Sequence, residues 1–146
     1  MVPHGNYRCL SYTWGEPGDE FDIIVNDQPF RIRRNLHDFL LVARSKSHLS
    51  GSLWIDALSI NQNDPVEKGH QVQRMGQIYS NAQEVLVWLG ERTELHPIFQ
   101  FSKNYLDTRS KRIPPALSKY VRFYANSYWR RAWVIQEFLL ARNIRL

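Results

Sequence analysis

Leu53-Trp54-Ile55-Asp56 and, further along, Val85-Leu86-Val87-Trp88-Leu89-Gly90 decide the fold. Both runs are short and apolar, without the polar alternation of a half-exposed strand, so each reads as a strand buried on both faces. Between them lies the clearest helix start in the chain. Asp64 takes the N-cap position, Pro65 the first helical position, and Glu67 stands three residues after the cap. That is the spacing of a capping box, with proline where its missing N–H costs nothing. Val72, Met75, Ile78 and Tyr79 supply the apolar side of this helix. Strand, helix and strand in this order predict a parallel pair joined by a helical crossover.

On the N-terminal side, Arg8–Tyr12 reads as another strand, ending in the turn-forming run Thr13-Trp14-Gly15-Glu16-Pro17-Gly18. Asp22–Val25 and Phe30–Ile32 flank Asn26-Asp27-Gln28, which predicts a β-hairpin. Asn35 is placed to cap a helix whose Leu36, Phe39, Leu40 and Ala43 share one side, and Ser45–Ser52 follows as a loop. On the C-terminal side, Pro97–Leu106 and Ala116–Tyr124 read as helices. Asn126 or Ser127 is expected to cap a last helix running to about Asn143, and Ile144-Arg145-Leu146 to begin a further strand. The expected class is α/β: a mostly parallel sheet flanked by helices, with an N-terminal β-hairpin inserted. Ligands of such sheets sit beyond the carboxyl ends of the strands. The stretches to watch are therefore Trp14–Gly18, Asp56–Gln62 and Gly90–Glu94.

Composition narrows the classes. The chain has 146 residues, 43% hydrophobic and 23% charged, which suits one folded domain over residues 1–146 rather than a disordered or fibrous segment. Apolar runs such as Val85–Leu89 fall far short of the roughly 18 residues of a membrane span. Met1–Tyr7 has no apolar core for a signal peptide, and the lone Cys9 excludes an internal disulfide. A reducing, cytoplasmic location is the expectation. Charge is unevenly placed. Residues 1–100 hold nine Lys and Arg against twelve Asp and Glu, whereas residues 101–146 hold ten against two. That imbalance suits either a solvated basic face or an anionic partner. No nucleic-acid-binding motif accompanies it, so nucleic acid is not the expected partner.

Four side chains and loops stand out chemically. From Ala132 to Ala141 only Gln136 and Glu137 are polar, so the helix is expected to be buried and Glu137 to be either catalytic or paired with an arginine. Asp56 at a strand exit is a second candidate carboxylate, or else a ligand of the backbone of the Ser59–Asn63 loop. Trp14-Gly15 offers an indole and a close-approach backbone to a base or ribose, or packs in the core. Arg130 and Arg131 are expected in the first turn of the last helix, where they would either hold a diphosphate or pair with an acid. The five histidines lack metal-ligand spacing, and neither a nucleophile elbow nor a glycine-rich phosphate loop occurs, so no metal or bound cofactor is expected.

Four segments together resemble the heterokaryon-incompatibility (HET) domain. They are Tyr7–Gly15, the run Leu53–Gln62, the stretch from Glu67 through Gln71-Val72, Met75 and Ile78-Tyr79-Ser80 to Val87–Gly90, and Trp129–Glu137. Where that family usually has a cysteine after the central Asp-Ala, this chain has Leu58-Ser59. The resemblance implies a domain of filamentous fungi that triggers cell death after non-self recognition. It also implies a fold similar to Toll/interleukin-1 receptor (TIR) domains, with flavodoxin-like topology, some of which cleave NAD with one glutamate in a Trp-x-x-x-Glu context. Trp133 and Glu137 hold that spacing here. By this resemblance Glu137 is the one residue carried over as catalytic, with NAD a candidate substrate rather than a cofactor; Trp133 is counted with Trp14, Gly15, Asp56, Arg130 and Arg131 among the candidate binding residues. TIR domains carry one or two strands after that helix, so the sheet is expected to be truncated at its C-terminal edge. Self-association or a protein partner is the alternative to catalysis.

Overall fold

The computed structural model describes residues 6–49, 51–91 and 117–146. In chain order the strands are β1 (Tyr7–Tyr12), β2 (Glu20–Val25), β3 (Gln28–Arg33), β4 (Ser52–Trp54), β5 (Glu84–Trp88) and β6 (Ile144–Arg145). The helices are α1 (Arg34–Arg44), the single turn α2 (Asp56–Ser59), α3 (Pro65–Asn81), α4 (Leu117–Tyr124) and α5 (Val134–Leu139), with a 3₁₀ turn at Ser127–Arg130 before α5.

Strands β4, β1, β5 and β6 form one sheet in that spatial order, and every neighbouring pair is parallel. Cys9 lies opposite Trp54 on one side and Val85 on the other, which places β1 and β5 at the centre. Their side chains alternate between two cores. Tyr7, Cys9, Val85 and Val87 pack with Met75, Ile78, Tyr79, Tyr128 and Val134 on one face. Leu10, Tyr12 and Leu86 pack with Leu36, Phe39, Ile32 and Ile55 on the other. Burial on both faces is why the run Val85–Trp88 is apolar without alternation.

The hairpin β2–β3 forms a separate two-stranded antiparallel sheet, with Val25 paired to Gln28 across the two-residue turn Asn26-Asp27. Both turn residues have positive φ, +50° and +61°, as a type I′ turn requires. The cap of α3 forms as the sequence predicts: the Asp64 carboxylate accepts from the N–H groups of Val66 and Glu67 at 2.9 and 3.1 Å. Glu67 reaches back further than the box pattern implies, accepting from the N–H of Asn61 at 3.2 Å.

Two expectations are corrected. Asn35 does not cap α1; the N-cap is Arg33 and Asn35 lies inside the first turn. Nor is Asn126–Asn143 one helix. Asn126 caps the 3₁₀ turn through Tyr128 N–H, Arg131 is extended, and α5 is only the six residues Val134–Leu139. The break follows from Asn126 holding a tight turn, which closes 3₁₀ bonds that an α-helix does not continue. The helix predicted at Pro97–Leu106 lies outside the described residues. Among those described, no helix is long and apolar enough to cross a membrane.

Candidate functional site

Glu137 is 1% exposed, one of the few polar side chains in the core. Its helix brings it beneath the carboxyl end of β1, where Ser11 donates its hydroxyl proton to Glu137 Oε2. The Tyr128 hydroxyl lies 2.5 Å from Ser11 Oγ. Since Ser11 has one proton and gives it to the carboxylate, Tyr128 is the donor in that second bond. Arg131 closes the other side with two parallel bonds, 3.1 Å to Oε2 and 3.0 Å to Oε1. The Arg131 guanidinium also stacks 5.7 Å from the Tyr128 ring centre. Both carboxylate oxygens are therefore occupied, in the bidentate geometry that makes arginine–carboxylate pairs strong.

This network sets the electrostatics of the core around it. Burial, then the Glu137 charge, pushes the Cys9 thiol up to about 12. Burial likewise raises Tyr128 to about 12 and Tyr79 well above its ordinary value, the latter also facing Glu137 and Cys9. Cys9 is thus held as a thiol against the Ile78 carbonyl, 3.8 Å away, rather than as a nucleophile.

The other predicted residues lie elsewhere. Asp56 Oδ2 accepts from the Trp14 indole N–H at 2.8 Å, and Oδ1 from the N–H of Ala57 at 2.7 Å. The expected carboxylate bonds to the Ser59–Asn63 loop are replaced by these two; the loop is held instead by Gln62, which donates to the Asp56 carbonyl at 3.2 Å. Trp14 packs at the edge of the second core with the Arg33 guanidinium 5.6 Å from its ring centre. Arg33 also donates to the Gly15 carbonyl, and Gly15 has φ +80°. The structure thus joins Trp14, Gly15 and Asp56 in one group and Arg131 with Glu137 in another. Arg130 is exposed at the end of the 3₁₀ turn, so neither arginine stands in the first turn of a helix as expected. Trp133 caps α5 and is 41% exposed.

The burial expected of the whole Ala132–Ala141 segment is also corrected. In α5 only Val134 and Glu137 are buried, because a six-residue helix turns one narrow side to the sheet. Sequence reasoning missed Asn35. Its amide donates to the Thr13 carbonyl at 2.5 Å and accepts from the Trp88 indole at 2.9 Å, tying the ends of β1 and β5 together. Asn126 does the same for Leu89, donating to its carbonyl at 3.1 Å. Before a helix an asparagine reads as a cap, so nothing in the sequence signals the clamp.

Clefts lie next to the Trp14 group. One of about 400 Å³ is lined by Trp14, Glu16, Asp19, Arg34, Asn35 and Asp38 among others. A second, of about 330 Å³, lies between the hairpin and Gln62-Asn63. Glu137 lines neither. Among the described residues no three His, Cys, Asp or Glu side chains gather where they could hold a metal ion.

A two-faced parallel α/β domain with a buried arginine–carboxylate pair at the end of its central strand is the class that fold and site define. Residues 7–137 match the family model described as Heterokaryon incompatibility protein (HET), and the chain belongs to that family. It is also similar to "Heterokaryon incompatibility protein 6, OR allele" of Neurospora crassa, 36% identical over 194 aligned positions covering 98% of this chain. The chain spans 28% of that relative's length. No solved structure matches it.

Proposed function

We propose that this domain triggers cell death after non-self recognition and acts through protein contacts rather than catalysis. Membership of the family and the likeness to a Neurospora incompatibility protein support the biological role. The observation that carries the non-catalytic part is the state of Glu137. A carboxylate 1% exposed, with both oxygens held by Arg131 and one also by Ser11, is closed to an incoming ligand in this arrangement. It works as the anchor of the Tyr128–Glu137 segment on β1.

A second reading, TIR-like NAD hydrolysis, is supported by a different observation. Numbered among themselves, the parallel strands run 2-1-3-4, as the first four strands of a flavodoxin-like sheet do, and the Ser11–Glu137 network sits at the carboxyl end of the central strand. Hydrolysis would need Arg131 to leave the carboxylate, which would then stabilise positive charge on the ribose as the nicotinamide bond breaks. Incubating the purified protein with NAD and following nicotinamide release separates the two. The contact reading expects no release in a preparation that kills when expressed in fungal cells. Release that is abolished by Glu137→Gln, at an unchanged folded fraction, overturns it in favour of hydrolysis.

A further inference from the structure

We propose that the cleft between the hairpin and the Gln62-Asn63 turn binds a small organic acid, one carboxylate on an apolar body, with Arg33 receiving the carboxylate. The site is separate from the Glu137 network and independent of both readings of that network. Tyr12 ends β1, while Ala57, Gln62 and Asn63 follow β4, so the cleft opens beyond the carboxyl ends of two neighbouring parallel strands. That is where open parallel sheets take their ligands. Its volume of about 330 Å³ lies at the small end of the range for ligand pockets, which suits one ring or a short aliphatic chain.

Charge selects the ligand. Arg31 pairs with Asp22 at 3.2 Å and with Glu20 at 3.9 Å, and Arg34 pairs with Asp19 at 2.8 Å. Arg33 differs: among the described residues no carboxylate stands within ion-pair distance of it. Glu20 is opposite it in the hairpin register but is placed towards Arg31. Asp56 gives its two oxygens to the Trp14 indole and the Ala57 N–H. Arg33 Nη1 donates to the Gly15 carbonyl at 2.9 Å, which leaves the Nε and Nη2 edge for a second acceptor. A guanidinium edge of that kind takes a carboxylate through two parallel bonds. Glu20 also lines the cleft and opposes a second negative charge, so a monoanion fits better than a phosphate. The rest of the wall is apolar. Phe30 is 38% exposed at the cleft, with Ile32 and Leu36 buried behind it and Ala57 beside them. Covering such a ring gains the free energy of removing it from water. Asn63 is exposed, and among the described residues its side chain has no bond, so it is available to fix the ligand's orientation.

Nuclear magnetic resonance titration of the isotope-labelled protein with hydrocinnamate, benzoate and hexanoate tests the site, read at the Trp14 indole N–H and the Asn63 amide. At least one acid is expected to shift both signals and saturate, and its neutral amide is expected to do neither. Arg33→Gln should weaken that acid about tenfold or more, as loss of a charged hydrogen-bond partner does. Ala57→Leu narrows the cleft while keeping every charge and the Gly15 bond, so it tests the cleft even where Arg33→Gln disturbs the loop; it should weaken binding at least as much. Arg44→Gln removes a cation at the far end of α1 and should leave the affinity unchanged. No shift with any of the three acids, equal binding of the neutral amide, or an affinity unchanged in Arg33→Gln or in Ala57→Leu overturns the proposal. The source of the carboxylate is distinguished by a short peptide ending in phenylalanine. Binding as tight as that of hydrocinnamate supports the site with a chain terminus as its ligand, and exclusion of the peptide supports it with a free acid.

Discussion

At Glu137 a single side chain ties the last helix to the central strand. Its carboxylate is buried with Arg131, whose own side chain is 19% exposed. Glu137→Gln keeps the shape but removes the charge, leaving the guanidinium without its counter-ion. Breaking such a pair costs about 3 kcal/mol, the low end of the usual range because Arg131 reaches water. Urea unfolding of the variant beside the parent measures it. The thiol of Cys9 provides a second test. Folding raises it from 9.0 to about 12, and Tyr128 from 10.0 to about 12, so above these ordinary values the unfolded chain loses protons before the folded one does. The unfolded state then binds fewer protons, and stability falls as pH rises. The urea midpoint is expected to be insensitive to Cys9 below about pH 9 and to decline from there towards 12. In Cys9→Ala the onset should move up towards the tyrosine value of 10.0.

Among the elements, α3 owes its start to local chemistry and α5 to its surroundings. Asp64 satisfies two N–H groups that would otherwise lack partners at the α3 start. Asp64→Ala should cost about 1 kcal/mol, visible as a lower midpoint with an unchanged urea slope. At α5 the sequence pattern is misleading. The run Trp133–Ala141 is apolar enough to suggest a long buried helix, yet only Val134 and Glu137 are buried within α5. An apolar run states that residues avoid water, not which neighbour covers them. Here the approach of α5 to α3 is close: a Cβ added at Gly76 would lie 3.3 Å from Leu140 Cδ1. That contact and the Arg131 pair set where the helix sits.

Over the whole molecule, two cores on opposite faces share the strands β1 and β5. The segment from Asn126 to Leu140 joins the first of them through Tyr128, Val134 and the Glu137 network. Removing the Glu137 charge should therefore loosen that segment before the hairpin, which packs on the other face. Native-state hydrogen exchange on Glu137→Gln is expected to show lost protection at Trp129, Glu137 and Leu140 N–H groups, while the paired β2 and β3 amides stay as in the parent. Equal loss in both regions would mean that the two faces unfold as one unit.

The strands Arg8–Tyr12, Leu53–Ile55 and Val85–Leu89, the capped start at Asp64-Pro65 and the Asn26-Asp27 turn were all legible in the chain, because each rests on local rules: burial pattern, cap spacing and turn chemistry. The pairing of a buried glutamate with an arginine was legible as one of two alternatives. That the arginine is Arg131, that Ser11 and Tyr128 complete the network, and that Asn35 clamps β1 to β5 instead of capping α1 depended on side chains far apart in sequence. A polar side chain takes whichever partner the packed core leaves within reach, and that distance exists only after the sheet and its covering helices have come together.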